Sequence, residues 1–213
     1  LYRLLPRPFG VRLGRWGIAA GFRLYLGLMR GTGMLRCDLS ALDALRHEQG
    51  LVIAPNHPSL LDAVVMTSRL PRVVCIAKAS IWHNPLLGGG MRLAGYVRND
   101  APLTMIRNAA AVLRAGRQVL IFPEGTRTPP GAALGPVTRS FALLAQQAGA
   151  PVQTVIIEME PPYLGKGWPP LRRPPLPLRI RVRLGARFPA GTDARCLSDE
   201  VARHLRAQLP PSS

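Results

Sequence analysis

The chain has 213 residues, enough for one domain that buries a sizeable core without disulfides. Its net charge of +17 comes from 28 Lys and Arg, nearly all arginine, against 11 Asp and Glu; such a surface attracts phosphate in lipids, substrates or nucleic acid. No zinc-finger spacing or ribonucleoprotein aromatic signature accompanies that charge, no uncharged apolar run nears the ~20 residues of a spanning helix, and no signal peptide is evident.

Residues 1–34 mix Arg3, Arg7, Arg12, Arg15, Arg23 and Arg30 with Trp16, Phe22, Leu24, Tyr25, Leu28 and Met29. From about residue 11 the pattern is helical. Basic charge combined with Trp, Phe and Leu is what a helix lying in a membrane interface requires; an ordinary amphipathic helix covering a core uses the same residues. A first residue of Leu rather than Met points to a longer native N-terminus. Residues 35–50 are polar and give no clear element.

The apolar run 51–54 reads as a buried strand. Asn56-His57-Pro58-Ser59-Leu60-Leu61-Asp62 follows and opens into an amphipathic helix. His57 then sits at the carboxyl end of a strand, and Asp62 in the first helical turn points back toward it. A carboxylate beside a histidine fixes its tautomer and stabilises the imidazolium, as a general base needs. Ser59 with Asp62 three residues later is also a helix-capping pattern, which needs no chemistry.

Residues 72–77 form a second strand with Cys75 as a core thiol. Lys78 follows, placed either to approach a phosphate or simply to be solvated. A helix is expected over 102–115, with Met105, Ile106, Ala109, Val112 and Leu113 on one face and Gly116 ending it. Residues 118–122 make another buried strand, broken by Pro123-Glu124-Gly125-Thr126-Arg127. A helix over 137–149 and a strand over 151–158 come next. The Pro-rich stretch 160–177, with exposed aromatics Tyr163 and Trp168, reads as a lid, a binding element or a mobile loop. Residues 178–184 alternate Ile180, Val182 and Leu184 with Arg179, Arg181 and Arg183, a half-buried strand. A helix over 198–209, capped by Ser198, closes the chain.

Loops after buried strands gather at one edge of a parallel sheet, where α/β proteins place ligands. The two loop motifs together resemble the glycerolipid acyltransferase family, the lysophospholipid and 1-acylglycerol-3-phosphate acyltransferases. That family carries Asn-His-x-Ser-x-x-Asp and, about sixty residues later, Phe-Pro-Glu-Gly-Thr-Arg; both are present here in that order. The resemblance spans about residues 35–185. It implies an α/β single domain with a mostly parallel sheet flanked by helices. Residues 1–34 would be the N-terminal membrane-interface helix and 35–213 the acyltransferase domain.

The reaction implied is transfer of a fatty acyl group from acyl-CoA or acyl-ACP to a hydroxyl of a lysophospholipid-like acceptor, with no other cofactor and no metal. His57 would be the general base and Asp62 its orienting partner. Glu124, Gly125, Thr126 and Arg127 would bind the acceptor or its phosphate, and Lys78, Arg98, Tyr163 and Trp168 are further candidates for substrate contact. The partners implied are the acyl thioester donor, an acyl carrier protein among them, a lysolipid acceptor and an anionic membrane surface, but no nucleic acid. The enzyme would sit peripherally on the cytoplasmic face. With no Gly-x-Ser-x-Gly elbow and no Cys–His pairing, a covalent acyl-enzyme is not expected. His47, His57, His83 and His204 lie far apart without metal-ligand spacing.

Two positions depart from the family pattern. Thr154 replaces a proline of its fourth block, and Ala101 stands where its second block, here Gly95 to Asp100, is followed by an arginine. The second departure removes one phosphate contact and implies that 1-acylglycerol-3-phosphate is a weak acceptor. Two other readings stand beside the enzyme: a non-catalytic peripheral lipid-binding protein of the same fold, and a basic nucleic-acid binder. Acceptor identity, acyl length, the choice between CoA and ACP, and oligomeric state are not written in these residues.

Overall fold

A computed structural model of the chain describes residues 7–84, 88–169 and 172–210. The elements run α1 Arg7–Gly31, β1 Leu35–Asp38, a 3-10 helix Ser40–Leu45, β2 Val52–Pro55, α2 Leu61–Arg69, β3 Val74–Lys78, α3 Ala79–Trp82 and α4 Gly88–Leu93. They continue with β4 Val97–Asn99, α5 Pro102–Arg114, β5 Val119–Leu120, α6 Ser140–Ala148, β6 Val152–Glu160, β7 Leu178–Phe188 and α7 Ala194–Gln208. The strands form one seven-stranded sheet in the order β1-β7-β6-β2-β5-β3-β4. Every pairing is parallel except β6 with β7.

Strand β2 is central and buried at all four positions, as a strand covered on both faces must be. Alternation sends Val52 and Ala54 into a core shared with α5, α6 and α7. Leu51 and Ile53 enter a second core beneath α1, α2 and the 3-10 helix. Because β5 and β6 flank β2 and run parallel to it, the segments leaving all three emerge at one sheet edge.

Helix α1 begins earlier than its sequence pattern indicates and packs against α2 and α4. The approach to α4 is close: a Cβ at Gly14 would lie 2.8 Å from the backbone of Ala94 and Leu93. Ala19, Leu26 and Met29 face inward, while Phe9, Leu13, Trp16, Leu24, Tyr25 and Leu28 face outward. No helix among the described residues is long and apolar enough to cross a membrane.

Several expected boundaries move. Residues 35–50, read as featureless, hold edge strand β1 and the 3-10 helix whose Leu42 and Leu45 are buried. Strand β4, also unforeseen, is only three residues long. The strand expected over 118–122 shrinks to β5. Ile121 N–H still reaches Ile53 O at 3.1 Å, but Pro123 has no N–H to continue the ladder and the chain turns. Helix α6 starts at Ser140 rather than 137 because Thr138 is held to the carbonyl of Pro123 by its N–H and its hydroxyl. Helix α7 starts at Ala194, and its cap is Asp193 rather than Ser198. The Asp193 carboxylate accepts from the N–H groups of Arg195 and Cys196, and Ser198 is buried.

Candidate active site

After Pro55 the chain leaves the sheet, and Asn56 replaces the ladder with its side chain. Its Nδ2 donates to Ile157 O at 2.9 Å and its Oδ1 accepts from Ile157 N–H at 2.7 Å. Buried Asn56 thus closes the end of the β2–β6 pair, a role its place in the motif did not disclose.

His57 comes next, and its ring is 14% exposed. Nδ1 donates to Asp62 Oδ2 at 2.8 Å, which leaves Nε2 as the basic nitrogen. The ring stacks on Phe122 with centroids 3.8 Å apart and planes 16° from parallel, so its orientation is set from two sides. Asp62 Oδ2 also accepts from Ser59 N–H at 2.8 Å, and Ser59 Oγ accepts from Leu61 N–H at 3.0 Å. The capping pattern and the His–Asp pair therefore coexist in one carboxylate. Asp62 Oδ1 makes no hydrogen bond with the described residues. Burial pushes the Asp62 carboxyl up to about 6; the bonds from His57 and Ser59 oppose that, and nearby Glu124 adds to it.

The second motif holds the histidine by its main chain. Buried Glu124 accepts from His57 N–H at 2.8 Å and from Thr128 Oγ1 at 3.0 Å through Oε1, and from Gly135 N–H at 2.6 Å through Oε2. Thr128 N–H donates to His57 O at 2.8 Å. Both backbone groups of His57 are thereby tied to the Glu124–Thr128 loop. The described contacts of Glu124 are all internal, so its carboxylate holds the main chain of His57 in place. Thr128 was missed in sequence: its hydroxyl bonds Glu124 and its N–H bonds His57 O, and the second contact is one that any residue but proline supplies. Gly125, exposed with φ 64°, makes the turn of this loop, and Thr126 is half-buried beside it.

Arg127 reaches a third segment. Its Nη1 donates to the carbonyls of Leu164 at 2.9 Å and Gly165 at 2.7 Å. Ser59 Oγ donates to Tyr163 O at 2.7 Å, and Leu60 N–H donates to Leu164 O at 3.2 Å. The β6–β7 connection is thus fastened to both motif loops. Its aromatics are half-buried rather than exposed: Tyr163 meets Trp168 edge-on at 5.4 Å, Trp168 Nε1 donates to Arg172 O, and the Arg172 guanidinium lies over the indole.

The other candidates are not joined to this cluster. Lys78 is exposed at the end of β3. Arg98 pairs with Asp100 beside edge strand β4, three strands from β2. Ala101 is the N-cap position of α5, with no side-chain cap bond. Among the described residues no group of His, Cys, Asp and Glu has the arrangement of a metal site.

The chain as a whole has relatives among known proteins. The chain is 29% identical over 218 residues to the 1-acyl-sn-glycerol-3-phosphate acyltransferase of Neisseria meningitidis, covering 92% of this chain and 79% of that protein. It is 28% identical over 128 residues to the chloroplastic 1-acyl-sn-glycerol-3-phosphate acyltransferase BAT2 of Brassica napus, covering 57% of this chain but only 37% of that protein. The chain spans little more than a third of the length of the plant relatives it matches. The crystal structure of the 1-acyl-sn-glycerophosphate (LPA) acyltransferase PlsC from Thermotoga maritima shares the fold, with a TM-score of 0.65 at 18% identity over 91% of this chain and 78% of that one. The family profile described as Acyltransferase matches residues 36–158, from β1 into β6, and so takes in both motif loops and the His57–Asp62 pair. The chain belongs to the acyltransferase family.

Proposed function

We propose that the protein is an O-acyltransferase that moves a fatty acyl group from an acyl thioester, carried on coenzyme A or acyl carrier protein, to a hydroxyl of a lysophospholipid-like acceptor. The observation that carries this reading is the 2.8 Å bond from His57 Nδ1 to fully buried Asp62. It leaves Nε2 free to take a proton. The acceptor hydroxyl gives its proton to Nε2 as its oxygen attacks the thioester carbonyl. The tetrahedral intermediate collapses, the C–S bond breaks, and the leaving thiolate recovers the proton from His57. A thiol is a good leaving group (pKa about 8.5), so no covalent acyl-enzyme is required.

The acceptor lies on the side of His57 bounded by Gly125, Thr126, Arg127 and the Tyr163–Trp168 segment. Helix α1 supplies the membrane contact. Its outward face combines Phe9, Leu13, Trp16, Leu24 and Leu28 with arginines and no acidic residue, the mixture that seats a helix in an anionic interface. We assign α1 to peripheral attachment at the cytoplasmic face and residues 35–213 to catalysis. The test is incubation of purified protein with acyl-CoA or acyl-ACP and a lysolipid panel, with products read by mass spectrometry. Wild type is expected to acylate at least one acceptor, and His57→Ala to lose about 10²–10⁴-fold in rate with its fold intact. A correctly folded His57→Ala with undiminished turnover refutes the mechanism. Lysolipid binding with no acylation by wild type favours a non-catalytic lipid binder.

A further inference from the structure

Phe122 lies two residues beyond Leu120 of β5 and so shares its face of the sheet, packing against the core beneath α1 and α2. Leu120 is in register with Ile53 of β2, and the pairing runs on to Ile121, whose N–H bonds Ile53 O at 3.1 Å. The Phe122 carbonyl then accepts from Gly125 N–H at 3.0 Å. With its main chain held on both sides, Phe122 turns the face of its ring to the face of His57, centroids 3.8 Å apart and planes 16° from parallel. Two neutral rings do not prefer this arrangement. Their quadrupoles favour offset or edge-on pairs with centroids about 4.5–7 Å apart. A cation over an aromatic face is attracted instead, within about 6 Å of the ring centroid. The stack therefore suits an imidazolium better than a neutral imidazole.

We propose that Phe122 is a positioning residue with an electrostatic effect: its π-face stabilises the His57 imidazolium that forms when the acceptor's proton reaches Nε2. The proposal rests on the acyl-transfer reading for its effect on turnover, but not for its effect on the imidazole. Asp62 holds the charged ring at its edge through Nδ1, and Phe122 meets it on its face. The ring is only 14% exposed, so water screens the attraction little. The attraction grows as the proton moves and is weak in the resting enzyme, where the ring is neutral. An interaction of that kind raises kcat without tightening substrate binding. Of the charged groups on the second motif, Glu124 bonds the His57 N–H and Arg127 reaches the carbonyls of Leu164 and Gly165. These groups and Asp62 are the same in every variant below.

The test replaces Phe122 in the full chain by ring-fluorinated phenylalanines of increasing fluorine content, up to pentafluorophenylalanine. Fluorine leaves the shape of the ring nearly unchanged while draining negative charge from its face. Two readings are taken. One is the midpoint pH of the His57 ring titration, followed by NMR. The other is kcat and KM with palmitoyl-CoA or palmitoyl-ACP and a lysolipid panel. The midpoint is expected to fall step by step, by about 0.5–1 pH unit at full fluorination, and kcat to fall about 3- to 10-fold with KM unchanged. A level midpoint, or a level kcat in a protein that turns over, overturns the proposal and leaves the ring as packing. Phe122→Leu keeps an apolar contact without a π-face and is expected to lose at least as much; wild-type values in a folded Phe122→Leu also overturn it. Should Phe122→Leu not fold, the fluorinated series carries both readings. If wild type acylates no member of the panel, the acyl-transfer reading fails, and the NMR midpoint decides the role of Phe122.

Discussion

Asp62→Asn should make the protein more stable at pH 8 while making it a poorer enzyme. Burial raises the Asp62 carboxyl from 3.8 to about 6, so ionising it in the fold costs about 3 kcal/mol relative to the unfolded chain. The stability contributed by the protonated form is complete below pH 3.8 and is lost as pH rises through 6. An asparagine pays none of this at high pH. Its amide oxygen can take the place of Oδ2 and still accept from His57 Nδ1–H and Ser59 N–H. Its amide nitrogen then occupies the place of Oδ1, which has no hydrogen-bond partner among the described residues, at a cost of about 1–2 kcal/mol. The net gain at pH 8 is about 1–2 kcal/mol, or about 2–8 °C in Tm for a chain of this size. Circular-dichroism melts of both proteins from pH 4.5 to 8.5 should show the advantage of the variant shrinking as pH falls through 6. A wild type that is the more stable at pH 8, and increasingly so above pH 6, would show that the folded site favours the carboxylate and refute the reasoning. Turnover should fall in Asp62→Asn, less than in His57→Ala, because a neutral amide no longer stabilises the imidazolium.

Glu124→Gln should lower both Tm and kcat: its amide nitrogen would face Gly135 N–H, donor against donor, at a cost of about 1–3 kcal/mol, and His57 N–H would lose a charged acceptor; thermal melts and initial rates check this. Co-sedimentation with vesicles should require anionic lipid and weaken with salt, and replacing Trp16, Leu24 and Leu28 together by Ser should abolish it; equal binding to neutral vesicles at high salt contradicts the electrostatic part. In an acceptor panel, 1-acylglycerol-3-phosphate should be a weak substrate of wild type and be improved about 10-fold or more by Ala101→Arg. Arg98→Ala should leave that preference unchanged, because the Arg98 side chain is spent on Asp100.

What could be read from the residues was whatever depends on side-chain type and period. The alternation of Ile180 and Val182 with arginine announced β7, and the histidine–aspartate spacing announced a pair that folding brings to 2.8 Å. Roles that run through the backbone left no such trace. Arg127 grips two carbonyls and Glu124 one amide of His57, and carbonyls and amides are the same in every residue. Strands β1 and β4 are too short for a period to show, and their identity comes from their neighbours. At α7 two good capping residues compete. Asp193 wins because starting there buries Ala194 along with Leu197, Val201 and Leu205, and that depends on a surface contributed by other elements.

The parallel pairing of β1 with β7 also bears on the order in which the molecule assembles. Edge strand β1, joined to α1 by only a few residues, is hydrogen-bonded to β7 alone, from Leu35↔Leu178 to Asp38↔Arg181. More than a hundred residues separate the partners, so this contact closes the longest loop of the sheet and is entropically the slowest to form. During synthesis α1 emerges well before the strand that will anchor β1. Its Phe, Trp and Leu face can therefore meet a lipid surface while the rest of the chain is still unfolded. Pairing with β7 would then lock β1, and α1 beside it, to a strand synthesised more than a hundred residues later.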